Sequence, residues 1–508
     1  MLKTPATQCL FVVLSLALHA LIAPAAAQRL IPLVLIGSET EERARLSQLT
    51  DSTARDGVLL RAPSRGAYVW SDSAEHVALV APEARLLRNS ALFNSQNDAG
   101  LRAGRGINTI ITAGFEIRFG RARLILAPQF VAEENRPFQV IPYPQGDSVR
   151  RSVWANPFHP LPESIDLPLR FGNEAQARLE AGQSSLTISA GPLAVGAASE
   201  NIWWGPGIRN AIVLSNNAPG IPHLFVRPTT PITTGAGDFD FDVIAGQLHD
   251  SPFFERERTT RSLAGVALTW RPPFDRGLEL GFSRLRMDGK TGHDQMSSLF
   301  GRWVFPTAGF EAYGEWARFE DPASLRDFLE FPTHSQGYTF GLQWARPVFS
   351  GSTFRLQAEA TYLEPDASLR LRPVRTTYTS SAVPQGFTEQ GQVLGAAIGP
   401  GSSSQWIAGD VFGAPWRVGA FAGRIRTDNG VLFEPIVPDE KRADITLFTG
   451  LRASSAWHGV QALIEFTNQV RLNYLFQAYL DNRLTGETGG IDIGNRTLSL
   501  TLSAAVKN

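Results

Sequence analysis

Cysteine is nearly missing: Cys9 stands alone in 508 residues, inside an apolar stretch at the front of the chain. Downstream of it neither a disulfide framework nor a thiolate metal site can form. No apolar run after that stretch approaches the roughly 20 residues a helix needs to cross a bilayer, which excludes a helical membrane protein. Charge of one sign is not in excess either. Against 47 Lys and Arg stand 48 Asp and Glu, a net charge of -1, whereas nucleic-acid binders concentrate positive charge, so no nucleic acid is expected as a partner. His76, His159, His223, His249, His293, His334 and His458 show no pair at metal-ligand spacing. A G-x-S-x-G elbow is absent, and Gly289-Lys290-Thr291 lacks the upstream glycine of a phosphate-binding loop, Arg284 standing there. The chain therefore reads as non-enzymatic, with no cofactor and no covalent catalysis.

What is present points outward from the cytoplasm. Lys3, the mostly apolar stretch from Cys9 to Ile22 and the small residues Ala25-Ala26-Ala27 make an export signal over residues 1–27, cleaved after Ala27. Cys9 precedes most of the apolar region, which argues against a lipoprotein. The rest is rich in Gly (46), Phe (31) and Trp (11), a mixture suited to strands with one face in lipid and the other in a polar lumen.

Ser38-Glu39-Thr40-Glu41 has capping-box spacing and opens a helix-forming run to about Leu49, so residues 28–107 read as a small, partly helical periplasmic segment. From Asn108 to Asn508 the dominant period is two. Phe354, Leu356, Ala358, Ala360 and Tyr362 alternate with Arg355, Gln357, Glu359 and Thr361, and the same pattern recurs over 310–316, 460–467 and 497–503. Roughly sixteen to nineteen such segments of about nine to eleven residues fit tilted strands crossing a hydrocarbon layer. Tight connections at Gly120-Arg121, Pro306-Thr307-Ala308 and Gly413-Ala414-Pro415 contrast with long ones near 134–173, 200–236, 320–336, 365–387 and 427–441. Trp270, Trp303, Trp316, Trp344, Trp416 and Trp457 fall near strand ends, where interfacial aromatics belong. The expected fold is all-β: a transmembrane antiparallel β-barrel in the outer membrane. Its terminus, Ala504 to Asn508, lacks the aromatic residue such barrels often carry.

The least ordinary stretch runs from Glu200 to Pro219 and contains Asn201-Ile202-Trp203-Trp204-Gly205-Pro206-Gly207, then Ser215-Asn216-Asn217-Ala218-Pro219. Its Gly-Pro-Gly turn cannot continue a central strand, because Pro lacks a donor and Gly admits unusual dihedrals. Two uses are open. The tryptophans can stack on sugar rings while Arg209, Asn210, Asn216 and Asn217 bond hydroxyls or carboxylates. Alternatively, Trp203 and Trp204 plug the barrel and the asparagines satisfy loop backbone. Asp238, Asp240 and Asp242 share one strand face, either as a Ca²⁺ cluster or as an acidic patch of the lumen.

This stretch resembles the signature of the Wzi family of capsule assembly proteins. Gly104-Arg105-Gly106-Ile107-Asn108-Thr109, Tyr313-Gly314-Glu315-Trp316 and Gly391 to Gly401 add matches in the same order. The resemblance implies an eighteen-stranded barrel with a small helical periplasmic part. It also implies a lectin-like role in attaching or assembling capsular or extracellular polysaccharide. The partners expected with it are that polysaccharide, outer-membrane lipid and the polysaccharide export machinery, around a monomer. The candidate residues for binding glycan or shaping the loop are Trp203, Trp204, Gly205, Pro206, Gly207, Arg209, Asn210, Ser215, Asn216 and Asn217. A porin-like channel for small solutes is the alternative.

Overall fold

Strands that cross a bilayer must satisfy every backbone group on a neighbour, so the sheet has to close on itself. A computed structural model describes residues 30–51, 57–65, 76–138, 165–254, 259–349, 351–366, 375–428, 443–476 and 492–504; the export signal lies outside them. Eighteen antiparallel strands form one ring. They are β1 (His76–Asn89), β2 (Gly106–Phe119), β3 (Ala122–Leu126 with Gln129–Glu133), β4 (Gln176–Glu180 with Ser185–Ala190), β5 (Leu193–Ala198) and β6 (His223–Pro228 with Ile232–Thr234). There follow β7 (Gly237–Leu248), β8 (Arg261–Arg271), β9 (Leu278–Asp288), β10 (His293–Phe305), β11 (Phe310–Arg318) and β12 (Gln336–Phe349). The ring continues through β13 (Ser352–Tyr362), β14 (Ser403–Phe412), β15 (Trp416–Thr427), β16 (Asp444–Trp457), β17 (Val460–Leu472) and β18 (Ile493–Ala504). It closes where β18 pairs with β1, from Thr497↔Asn89 to Ser503↔Glu83.

Burial is inverted relative to a soluble barrel. On β13, Arg355, Gln357, Glu359 and Thr361 are buried, whereas Ala360 is exposed. Leu451, Leu299, Ile407 and Ile464 are 63%, 54%, 51% and 50% exposed on the outer wall. Such a surface is stable only against lipid. At the rim formed by the tight connections, Trp303 lies 4.9 Å from Phe305, and Phe305 lies 6.1 Å from Phe310. Near the opposite rim, Tyr338 and Tyr362 stack at 5.3 Å.

Glycine and aromatic residues are matched across strands. Phe225 faces Gly196, Phe300 faces Gly281, Tyr313 faces Gly341, Phe340 faces Gly314, Phe421 faces Gly450 and Phe448 faces Gly423 in direct register. In each pair the ring occupies the space that a Cβ on the glycine would need. This is a packing use of glycine, with the ring covering the backbone its partner leaves bare.

The barrel begins before the expected boundary at Asn108: β1 starts at His76, and the Gly104–Thr109 motif opens the second strand. The expected long connection 200–236 ends early, because 223–234 forms β6, a strand interrupted near Pro228. The expected tight connections all lie at one rim, and the described ends of the long ones at the other; residues 139–164, 367–374 and 429–441 of those long connections lie outside the described residues.

The N-terminal segment enters the lumen. Leu30–Ile31 pairs in parallel with Leu79 and Val80 of β1, beside a register shift between Val80 and Glu83. Helix α1 (Glu39–Thr50) follows, with Ser38 as N-cap accepting the Glu41 amide at 3.4 Å. The Glu41 carboxylate reaches back to the Gly37 amide at 2.6 Å, one residue beyond a standard capping box. Luminal wall residues hold α1: Arg417 pairs with Glu39 at 2.9 Å, Arg355 with Glu42 at 2.6 Å, and Glu311 with Arg45. Burial alone would raise the Glu42 pKa, but Arg355, Arg417 and Arg452 outweigh it and hold the carboxyl well below the usual carboxylate range.

Candidate functional site

The segment Glu200–Pro219 is folded inside the ring. Trp203–Trp204 forms a two-residue strand antiparallel to Leu60–Arg61. Both rings are buried, at 2% and 1% exposure. Trp204 donates to Asp242 Oδ2 at 3.4 Å, and the Arg61 guanidinium lies 4.3 Å over the Trp203 ring. Gly205 has φ +113° and faces the Glu315 carboxylate so closely that a side chain there would be strained twice.

After that glycine the turn presents opposite polarities to opposite sides. The carbonyls of Pro206 and Gly207 accept from Arg45 at 2.9 Å and Arg61 at 2.8 Å. The amides of Ile208, Arg209 and Asn210 converge on the Glu359 carboxylate of β13 at 2.6, 3.1 and 2.8 Å. Three amides on one anion form the backbone concavity usually seen around phosphate. Here the anion belongs to the wall.

Asn216 and Asn217 serve backbone, and Asn210 serves a hydroxyl of the wall. Asn210 donates to Ser404 Oγ at 3.3 Å, Asn216 to the carbonyls of Ile36 and Asn97 at 3.1 and 3.2 Å, and Asn217 to that of Val393 at 3.0 Å. Ser215 donates to the Gly395 carbonyl at 2.6 Å. These bonds tie the segment to a second inward-folded stretch, 375–402, whose Tyr378 donates to the Ile212 carbonyl at 2.7 Å. Trp204, Ile212, Leu214, Tyr378, Leu394 and Ala396 form one apolar core with luminal residues of β7 to β11, including Ile244, Leu263, Leu285 and Phe300.

Asp240 accepts from the Arg65 guanidinium at 2.7 and 2.6 Å and from the Phe241 amide at 2.8 Å, and Arg65 Nη1 also reaches Asp242 at 3.6 Å. Asp238 pairs in register with Arg271 on β8. The trio forms an acidic luminal face met by arginine.

The plug packs against one side of the ring and leaves a cavity of about 1000 Å³ along the other. That volume is at the upper end of the ~300–1,000 Å³ typical of ligand sites. Its lining includes Trp406 of β14, Phe421 of β15, Phe448 and Arg452 of β16, and Thr497, Ser499 and Thr501 of β18. Arg209 enters it from the plug, donating to Gln96 Oε1 at 3.0 Å and lying 5.6 Å over the Trp406 ring. Of the sequence candidates, Trp203, Arg209, Asn216 and Asp240 line the cavity. Trp406, Phe421, Phe448 and Arg452 were not legible as site residues, because each looks like an ordinary strand position until the ring closes.

Ring, apolar outer wall and inward-folded loops define an outer-membrane β-barrel with an occupied lumen. Residues 82–322 match the model of the family described as capsule assembly protein Wzi. Compared by sequence with curated proteins, the chain finds no match. Among solved structures it is similar to Wzi of Escherichia coli, described as an outer-membrane protein involved in group 1 capsule assembly and a carbohydrate-binding β-barrel. Identity there is 11%, coverage 84% of this chain and 85% of that one, and the TM-score 0.57. OccK11 of Pseudomonas aeruginosa follows at 10% identity, with 85% and 96% coverage and a TM-score of 0.40. OccAB2 of Acinetobacter baumannii follows at 8%, with 84% and 98% coverage and a TM-score of 0.42.

Proposed function

We propose that this barrel holds capsular or extracellular polysaccharide at the cell surface as a lectin-like, non-catalytic assembly protein. The observation that carries the reading is the family-matched segment Glu200–Pro219, which is locked into the lumen by wall carboxylates Glu315 and Glu359 instead of lining an open pore. Wzi of Escherichia coli, described as carbohydrate-binding, supports the choice of glycan. The protein acts as a monomer in outer-membrane lipid and receives glycan from the export machinery.

The test is a deletion of the gene with complementation, measuring cell-bound against released polysaccharide. Loss of bound polysaccharide on deletion, restored by the full chain, is expected. Unchanged retention overturns the reading. A steady ohmic current through the protein in a planar bilayer would instead favour a channel.

A further inference from the structure

The luminal cavity is lined by both signs of charge, Glu83 and Glu465 of the wall among them, and one of its arginines differs from the others. Arg43, Arg45, Arg61, Arg85, Arg417 and Arg452 line it, and each has a carboxylate partner: Glu39, Glu311, Glu41, Asp98, Glu39 and Asp410. Arg209 lines the same space, and among the described residues no carboxylate pairs with it. Its planar fork lies over Trp406, an arrangement that orients the guanidinium and leaves donors free. Two more lining residues carry a polar atom with no partner among the described residues: the Nε1 donor of Trp203, 2% exposed, and the Oδ1 acceptor of Asn216, 6% exposed. Buried polar atoms left unmatched are costly unless something else satisfies them. The wall of β18 adds hydroxyls at Thr497, Ser499 and Thr501, and Phe448 adds an aromatic face.

We infer that the cavity is a binding site for a short acidic oligosaccharide, with a sugar carboxylate on Arg209, ring C–H faces on Phe448 and hydroxyls on the β18 ladder. The inference rests on the polysaccharide reading above and assigns it a place and a charge class. A fork-shaped cation recognises a planar carboxylate through paired hydrogen bonds, which a neutral sugar cannot supply.

The test uses the full chain purified in detergent and isothermal titration calorimetry. The probes are a tetrasaccharide of alternating glucuronate and N-acetylhexosamine and its carboxyl-reduced, neutral counterpart. The wild-type chain is expected to bind the acidic probe at least tenfold more tightly than the neutral one. Arg209→Gln should lose that tenfold, and Arg209→Lys should recover part of it. Thr501→Trp, which fills the cavity from the opposite wall, should remove binding of both probes. Equal affinity for the two probes overturns the site, as does undiminished acidic binding in Arg209→Gln or Thr501→Trp, or no binding of either probe. Failure of the polysaccharide reading itself is seen separately in whole cells. If deletion releases surface polysaccharide while Arg209→Gln binds like wild type, only the luminal site falls.

Discussion

Glu359, a wall residue on β13, accepts the backbone amide of Asn210 at 2.8 Å and, through the same carboxylate, the amides of Ile208 and Arg209. Tyr313 of β11 donates to it as well, at 2.8 Å. One buried side chain thus anchors the plug and links two strands.

Replacing that anion by a neutral amide should loosen the plug without opening the ring. Hydrogen bonds to charged groups contribute about 1.5–3 kcal/mol each, though not additively, so Glu359→Gln should cost about 3 kcal/mol or more. The measurement is the urea midpoint of the folded form on unheated gels, together with bilayer conductance. A midpoint unchanged from wild type refutes the anchoring role.

Tyr313 owes its place to Gly341, over whose backbone its ring lies. Gly341→Ala should push the ring away and weaken the bond to Glu359 as well, at a cost of about 1–3 kcal/mol for overpacking. Tyr313→Phe keeps the ring and loses only the hydroxyl, so it should be the milder variant by thermal midpoint. The reverse order would mean that the glycine's space is not used as described.

Outer-wall residues should show depth dependence. Leu451→Arg, in the middle of β16, should cost about 2–4 kcal/mol in a bilayer, whereas Trp457→Arg at the rim should cost about 0–1 kcal/mol from the charge itself. Folding titrations into vesicles measure both. Equal costs would place the hydrocarbon layer elsewhere.

His249 is raised above the ordinary imidazole pKa: its hydrogen bond to Glu389 favours the charged ring and outweighs burial, with Arg261 opposing and Asp250 assisting. A raised folded-state value stabilises fully below the unfolded value of about 6.5 and is lost as pH rises through the folded value. The amides of His249 and Gln390 bridge the same two loops, at 2.7 Å to Glu389 and 2.8 Å to the His249 carbonyl. Their hydrogen-exchange protection factors should therefore fall above about pH 6.5, and Glu389→Gln should flatten the profile.

Much of the ring was legible because a strand's alternation is local: Arg355 to Thr361 could be assigned to the lumen from spacing alone. The asparagines of Ser215-Asn216-Asn217 could be read either way, since their choice between sugar and backbone depends on Ile36, Asn97 and Val393, which only tertiary folding brings near. Helix α1 was recognised from its cap, yet its docking was not. The arginines that hold it, Arg355 and Arg417, lie more than 300 residues away in sequence. β1 was missed for a related reason: its run Val80–Glu83 slips register and breaks the alternation that marks the other strands.

That slip bears on how the ring is sealed. Among the described residues β18 covers β1 as far as Glu83, and the edge below it, at Leu79 and Val80, is taken by Leu30–Ile31 running parallel. An uncovered edge in a bilayer is a row of unsatisfied donors and acceptors that recruits any strand within reach. The same few residues that lead the chain into the lumen therefore finish the seam. Closure of the wall and threading of its stopper become one topological event, and a barrel that has shut without α1 inside would still carry an open stitch.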